Sequence, residues 1–353
     1  MAVGISNLLQ SSAATATPLL LAALGENVVQ RAGIVNVGME GMMLVGAFFA
    51  VVGARHSATH LTGNPYAGVV LAVVAAMLLA ALFALFVLKL TANQVVIGVV
   101  LNLLALGLTG TLYRALFGVT GAFLASTTAA LPAYPWLLGQ DLLPLLALLG
   151  VPAVGLFLFR TRAGLELRAC GEHPAAAEAA GVNVLGVRAL ALLFGGAMSG
   201  LAGAFLSIGE NHTFVDNMSA GRGFIALAIV TSGRWTPWGC LGMAALFGLA
   251  QALQFLFQAQ GLHVSYQLFV ALPYVVTLLV LTSGGRWTPW GCLGMAAMFG
   301  TAQALRFVLQ AQGLHISSQL FVAVPCVVTL FVLTSGGRWA AAPAALGQPY
   351  RRS

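Results

Sequence analysis

Among the residues able to do chemistry, Glu40 stands out because it sits inside an apolar run, Val37 to Val52. On insertion scales a charge at that depth costs about 3 kcal/mol, so Glu40 must face protein or water rather than lipid. Asn36 lies four residues earlier and, on one continuous helix, shares its face. Asn93, Gln94 and Asn102 add further amide groups to otherwise apolar segments. Groups of this kind either offer hydrogen bonds to a polar solute or tie helices together, and the sequence leaves both readings open.

Covalent chemistry has no such candidates. No Gly-x-x-x-x-Gly-Lys-Ser/Thr occurs, the single lysine being Lys89 in an apolar segment. His-Glu-x-x-His, Gly-x-Ser-x-Gly and Cys-x-x-Cys are likewise missing from the sequence. Phosphate binding through a P-loop, metal hydrolysis and serine catalysis therefore lack a site. No cofactor or metal and no enzymatic activity are expected. Cys170, Cys240, Cys292 and Cys326 have no metal-ligand spacing and are expected to be free thiols.

The elements that position these residues belong to a membrane. The 353 residues are 60% hydrophobic and only 7% charged, whereas soluble domains are about one quarter charged. Apolar stretches of roughly twenty residues match a bilayer core of about 30 Å. Crossings are expected at 8–24, 34–53, 66–88, 95–117, 142–159, 187–208, 221–232, 239–259, 266–283, 291–311 and 318–335. The fold class is an all-α, polytopic transmembrane bundle of about 9–11 segments. The first and seventh spans are weak, and either can be a re-entrant or broken element if protein buries it. The seventh needs Asn217 to Ala220 to reach across. The N-terminus shows no removable signal peptide.

A net charge of +7 suggests nucleic acid in a soluble protein. Here the arginines fall between apolar segments, as topology signals do, and no nucleic-acid partner is expected. Arg160, Arg162, Arg168 and Arg188 form the densest basic cluster, which the positive-inside rule places in the cytoplasm. Counting outward from that loop puts Glu210 to Asn217 outside and the C-terminus inside.

Residues 233–284 and 285–336 repeat without gaps, with 42 identities over 52 positions. Each copy opens on Gly-Arg-Trp-Thr-Pro-Trp-Gly-Cys and reads as one helical hairpin, so the duplication adds two crossings and keeps the C-terminus on the same side. Trp235, Trp238, Trp287 and Trp290 suit an interfacial aromatic belt, and Pro237 and Pro289 suit helix starts. His263 and His315 arise from one duplication and read as interfacial, and Arg306 can snorkel to the headgroups. The permease domain is 1–336, followed by a cytoplasmic tail, 337–353, of which Ala340 to Ser353 read as a disordered end.

Between Arg168 and Asn183 lies a short helix with a clear start and stop: Pro174 suits the first helical position and Gly181 the residue just past the end. Two turns are marginal alone in water, so a partner surface or neighbouring helices must hold it.

Four blocks now stand in order: Gly25-Glu26 with Arg31-Ala-Gly-Ile-Val-Asn36-Val-Gly-Met-Glu40-Gly-Met-Met; Asn93-Gln94-Val-Val-Ile-Gly-Val-Val-Leu-Asn102; Arg168 to Gly181; and Asn217-Met-Ser-Ala-Gly221-Arg222-Gly223-Phe-Ile-Ala-Leu. The sequence resembles the permeases of bacterial ABC importers for nucleosides and simple sugars, related to ribose and branched-chain amino-acid permeases. The resemblance implies that Arg168, Gly171, Glu172, Pro174, Ala177 and Gly181 form the coupling segment that docks into a cytoplasmic ABC ATPase subunit. It implies half of a pathway for a nucleoside or simple sugar, with Asn36, Glu40, Asn93, Gln94 and Asn102 as pathway candidates. A second permease subunit, in nucleoside systems often a different chain, and an extracytoplasmic substrate-binding protein complete the assembly in the lipid of the bacterial inner membrane. The second hairpin copy departs from the family pattern, which ends after one. The alternatives are an ion-coupled secondary transporter, for which Glu40 is the principal ionisable candidate, and an inactive permease with an aberrant duplication.

Overall fold

The computed structural model describes residues 2–60, 64–117, 123–124, 131–132, 141–259 and 343–348. The expected spans 266–283, 291–311 and 318–335, the second hairpin copy with Pro289, Trp287, Trp290, Cys292, Arg306 and His315, and His263 and Cys326 lie outside them.

The described chain is almost entirely helical. Its helices are α1 (Ala2–Arg31), α2 (Met39–His60), α3 (Tyr66–Ala84), α4 (Gln94–Phe117), α5 (Leu142–Arg160), α6 (Arg162–Glu172), α7 (Pro174–Ala179), α8 (Val184–Ala204), α9 (Arg222–Ser232) and α10 (Pro237–Ala259). Wider π-turns prolong α3 through Leu85–Lys89 and α8 through Phe205–Asn211. A two-residue antiparallel pairing, Phe123–Leu124 against Thr213–Phe214, ties two loops together.

Four of these elements, Tyr66–Lys89, Gln94–Phe117, Leu142–Arg160 and Val184–Asn211, are long and apolar enough to cross a membrane by length and composition. They surround α1 and α2, which are buried along most of their length. A helix that is apolar on every side suits such a central place. The outer helices keep apolar side chains on the surface, among them Val70, Leu78, Leu103, Leu149 and Leu156, as a lipid-facing surface requires.

Small residues let α8 come close to the central helices. A methyl group on Gly46 of α2 would meet the Gly200 backbone of α8 at 2.8 Å. Such close approach substitutes van der Waals packing for the hydrophobic drive that is missing between helices in lipid.

Several sequence expectations change. The first span, drawn as 8–24 and as weak, is part of one continuous helix of 30 residues. Its threonines do not weaken it, because Thr15 and Thr17 bond back to carbonyls one turn earlier. The seventh element is α9 alone. Asn217 and Ala220 take positive φ and form turns rather than extending it. Cys170, in the polar stretch between the fifth and sixth expected spans, lies buried in a helix. Cys170 and Cys240 are free thiols. Part of the tail is also ordered, since residues 343–348 form turns that hydrogen-bond to the bundle.

Candidate translocation and coupling site

The chain breaks its helical path twice inside the bundle. Between α1 and α2, residues 32–38 run as turns and irregular backbone, although 34–53 reads as a single apolar span in sequence. Asn36 therefore does not share a helix face with Glu40: it lies in the break, three residues before α2 begins. The second break, 212–221, precedes α9. Backbone released in this way needs partners when no water is available.

Side chains supply them. Gln94 Oε1 accepts the Val35 N–H at 2.9 Å, and Glu26 Oε1 accepts the Asn36 N–H at 3.1 Å. Asn102 donates to the Val37 carbonyl at 2.9 Å and accepts the Gly41 N–H at 2.8 Å. Glu40 closes the second break: its two oxygens accept the N–H groups of Gly221 and Gly223, each at 2.7 Å. Those donors are free because they open α9, whose N-terminal end also favours a negative charge. Glu40 is 1% exposed, and protein N–H groups take up both of its side-chain oxygens.

Four of the five residues singled out from the sequence, Asn36, Glu40, Gln94 and Asn102, thus meet at the breaks. Asn93 does not join them. It is exposed, and its side chain caps α4 by accepting from Val95 and Val96.

The place of Glu40 relative to α1 follows from α9. That helix has 11 residues, about 16 Å at about 1.5 Å per residue. Just past its far end, Trp235 Nε1 donates to Gln30 Oε1 at 2.7 Å and the Trp235 carbonyl accepts from Arg31 Nε at 3.0 Å. The start of α9, which Glu40 caps, is therefore separated from the end of α1 by about the length of this helix. The same contacts revise the place of Trp235. At 1% exposure it is a buried strut, not a member of an interfacial belt, because its indole N–H finds a partner on α1; Trp238, 64% exposed, keeps the surface position.

The segment between α5 and α8 holds two helices where the sequence reading marked one. Thr161 starts α6 by accepting the Gly164 N–H at 3.0 Å. The second, α7, has the expected ends: Pro174 occupies its first turn and Gly181 follows with φ +86°. Ala177 is buried with Cys170 and Val184, while Ala175, Ala176, Ala179 and Ala180 are exposed. Burial pushes the Cys170 thiol above its ordinary range, which keeps it inert. Arg168 lies over the Phe159 ring at 5.1 Å.

This segment touches the first break directly. A Cβ on Gly171 would collide with the Arg31 carbonyl oxygen, so only glycine fits. Arg188, in the first turns of α8 and 1% exposed, donates from Nε to the Ala32 carbonyl at 3.0 Å and from Nη2 to the Cys170 carbonyl at 3.2 Å. Gly33, with φ +88°, completes the junction beside Arg188 Nη2 and Gly171. Sequence reasoning used Arg188 only as a topology signal and placed Glu26 just outside the first span. The clue it passed over was the cost of both charges beside apolar runs.

The family model for the permease component of branched-chain amino-acid transport systems matches residues 8–281. The chain belongs to that permease family. It is 37% identical over 307 residues to a putative glucose ABC transporter permease of Haloferax volcanii, covering 78% of this chain and 91% of the relative. A guanosine ABC transporter permease of Bacillus subtilis is 32% identical over 282 residues, with 76% and 88% covered. A nucleoside ABC transporter permease of Lactococcus lactis is 33% identical over 279 residues, with 75% and 88% covered. No solved structure matches. The permease match stops at residue 281, before the second hairpin copy begins. The chain is a multi-pass membrane protein and a permease subunit of an ABC importer.

Proposed function

We propose that this permease forms half of the pathway for a nucleoside or simple sugar and that a separate cytoplasmic ATPase drives it through α6 and α7. The observation that supports this most is the junction of Gly171, Arg188 and Gly33, where the end of α6 bears on the break between α1 and α2. A displacement of the α6–α7 segment cannot leave residues 32–38 unmoved, because Arg188 bonds both.

From that break the motion has a continuous physical route. Residues 35–37 are bonded to Glu26, Gln94 and Asn102, Asn102 holds the start of α2, and Glu40 on α2 holds the start of α9. Breaks of this sort, at membrane depth and lined by polar groups, are where discontinuous helices border solute sites in transporters. Asn36, Glu40, Gln94 and Asn102 act on the pathway by fixing the shape of these breaks, and Asn93 acts only through its cap on α4, next to Gln94. Alternating access is then a shift of α2 and α9 against the surrounding helices.

The exposed alanine face of α7 suits docking, since small side chains let a partner approach the helix closely. Relatives named for glucose, guanosine and nucleosides support a neutral, hydroxyl-rich solute. The complete importer contains a second permease subunit, of a different chain, and a substrate-binding protein that meets the outer loop Glu210 to Asn217, in the inner membrane of the cell.

The test is uptake into proteoliposomes holding this chain, a second permease subunit and the ATPase, with the binding protein added outside. Labelled guanosine or glucose should accumulate with internal ATP and not with a proton or sodium gradient alone. Accumulation driven by an ion gradient without ATP would contradict the reading.

A further inference from the structure

Beyond the family match, residues 343–348 return to the coupling junction. Two overlapping turns shape them: Leu346 N–H donates to the Pro343 carbonyl at 3.1 Å and Gln348 N–H to the Ala345 carbonyl at 3.2 Å. Gly347 takes φ +75°, which keeps this path open to glycine. Pro343 and Ala345 are buried, and Leu346 packs against the main core.

The segment bonds both sides of the junction. Ala345 N–H donates to the Gly171 carbonyl at 2.9 Å, and Gly347 N–H donates to the Gly33 carbonyl at 3.1 Å. Ala344 N–H reaches Glu172 Oε2 at 3.1 Å. The Ala345 carbonyl oxygen lies 3.4 Å from where a Cβ on Gly33 would stand. Six residues of the tail therefore join the end of α6 to the link between α1 and α2, beside the Arg188 contacts and on the opposite end of the chain from both.

We propose that residues 343–348 are a positioning strap that holds the coupling segment to the first break, so that motion of α6 is passed to the pathway instead of being lost as slippage. This rests on the importer reading given above. With the strap in place, Gly171 and Gly33 share three anchors: the close backbone contact, Arg188 and the tail. Without it, α6 keeps its ATPase-docking face but moves against α1 with less consequence for residues 32–38. A merely structural tail would alter stability and not the ratio of transport to ATP use.

Two variants separate these cases. One ends after Ala342; the other, Ala345→Pro, keeps the tail but removes the N–H that bonds Gly171. Reconstituted with the second permease subunit and the ATPase, both should retain ATPase binding. Substrate-independent ATP turnover should rise at least threefold and solute imported per ATP should fall at least threefold. An unchanged ratio in both variants would overturn the proposal. Hydrogen exchange of the purified chain alone distinguishes failure of the strap from failure of the importer reading. Amides in 30–38 and 168–173 should exchange at least tenfold faster in both variants, and equal rates in natural and variant chains would overturn the strap whatever the ATPase does.

Discussion

Glu40 Oε2 accepts the backbone N–H of Gly223 at 2.7 Å, joining residues 183 positions apart. With the matching bond from Gly221, this makes a carboxylate on α2 the cap of a half-length helix. Glu40→Gln keeps the shape but replaces one accepting oxygen with an NH2 group that cannot accept, leaving a buried N–H without a partner. The expected loss is about 3 kcal/mol of stability, the scale of an unsatisfied buried group facing a former charge. Thermal unfolding in detergent reads it, and Glu40→Ala should lose at least as much. Equal melting temperatures would show that α9 does not depend on this cap.

Arg188→Lys tests the junction. Lysine keeps a charge but has one compact head group, so it cannot bond the Ala32 and Cys170 carbonyls with the planar fork that arginine provides. Stability should fall by about 2 kcal/mol, and ATP-driven uptake should fall more steeply than ATPase binding. Gly171→Ala should behave similarly, because its methyl has no space against the Arg31 carbonyl.

Asp141, the residue before α5, is 5% exposed. Burial pushes its pKa up to about 6, opposed in part by the Leu143 N–H and by His212. An unfolded aspartate titrates near 4. The folded chain therefore holds this proton more tightly, and stability should fall as pH rises from about 4 to about 6, by up to about 3 kcal/mol, with the full cost present above that. Asp141→Asn should flatten this segment of the melting-temperature profile and stabilise the protein at pH 7. A profile with the same slope in both chains would contradict the assignment.

Deleting residues 285–336 removes one hairpin copy and joins Gly284 to Gly337. On the sequence reading of each copy as one hairpin, a reporter fused to the C-terminus should stay on the side it has in the natural chain, and membrane insertion should persist, since the family match ends at 281. A reporter moved to the opposite side would show that one copy crosses an odd number of times.

The sequence made the membrane class legible because composition alone excludes water as the main solvent. It also revealed α7, where Pro174 and Gly181 act locally on the backbone and need no tertiary context. The break at 32–38 was hidden for the opposite reason. Ile34, Val35 and Val37 are as apolar as a helix interior, and only the distant partners Gln94, Asn102 and Glu26 make non-helical backbone tolerable there. Trp235 was misplaced similarly: a tryptophan beside a span suits the interface until an acceptor such as Gln30 Oε1 is brought 2.7 Å away by packing. α6 escaped notice because it lies within a basic loop, where charge says more about topology than about helix ends.

The site residues divide along the same line. Glu40 announced itself through the cost of its charge, whereas Gly33 and Arg188 matter through what surrounds them, which no local pattern encodes.

The most direct test of the central claim is co-purification of the detergent-solubilised chain with its ATPase subunit, comparing the natural protein with Glu172→Arg and Gly181→Pro. Glu172 is exposed, so Glu172→Arg should insert and fold, while Gly181→Pro cannot keep the φ of +86° found there and so redirects the exit from α7, outside the apolar spans. The account predicts a stable complex with the natural chain and its loss in both variants. Undiminished ATPase binding in both would contradict the assignment of α6 and α7 as the coupling segment.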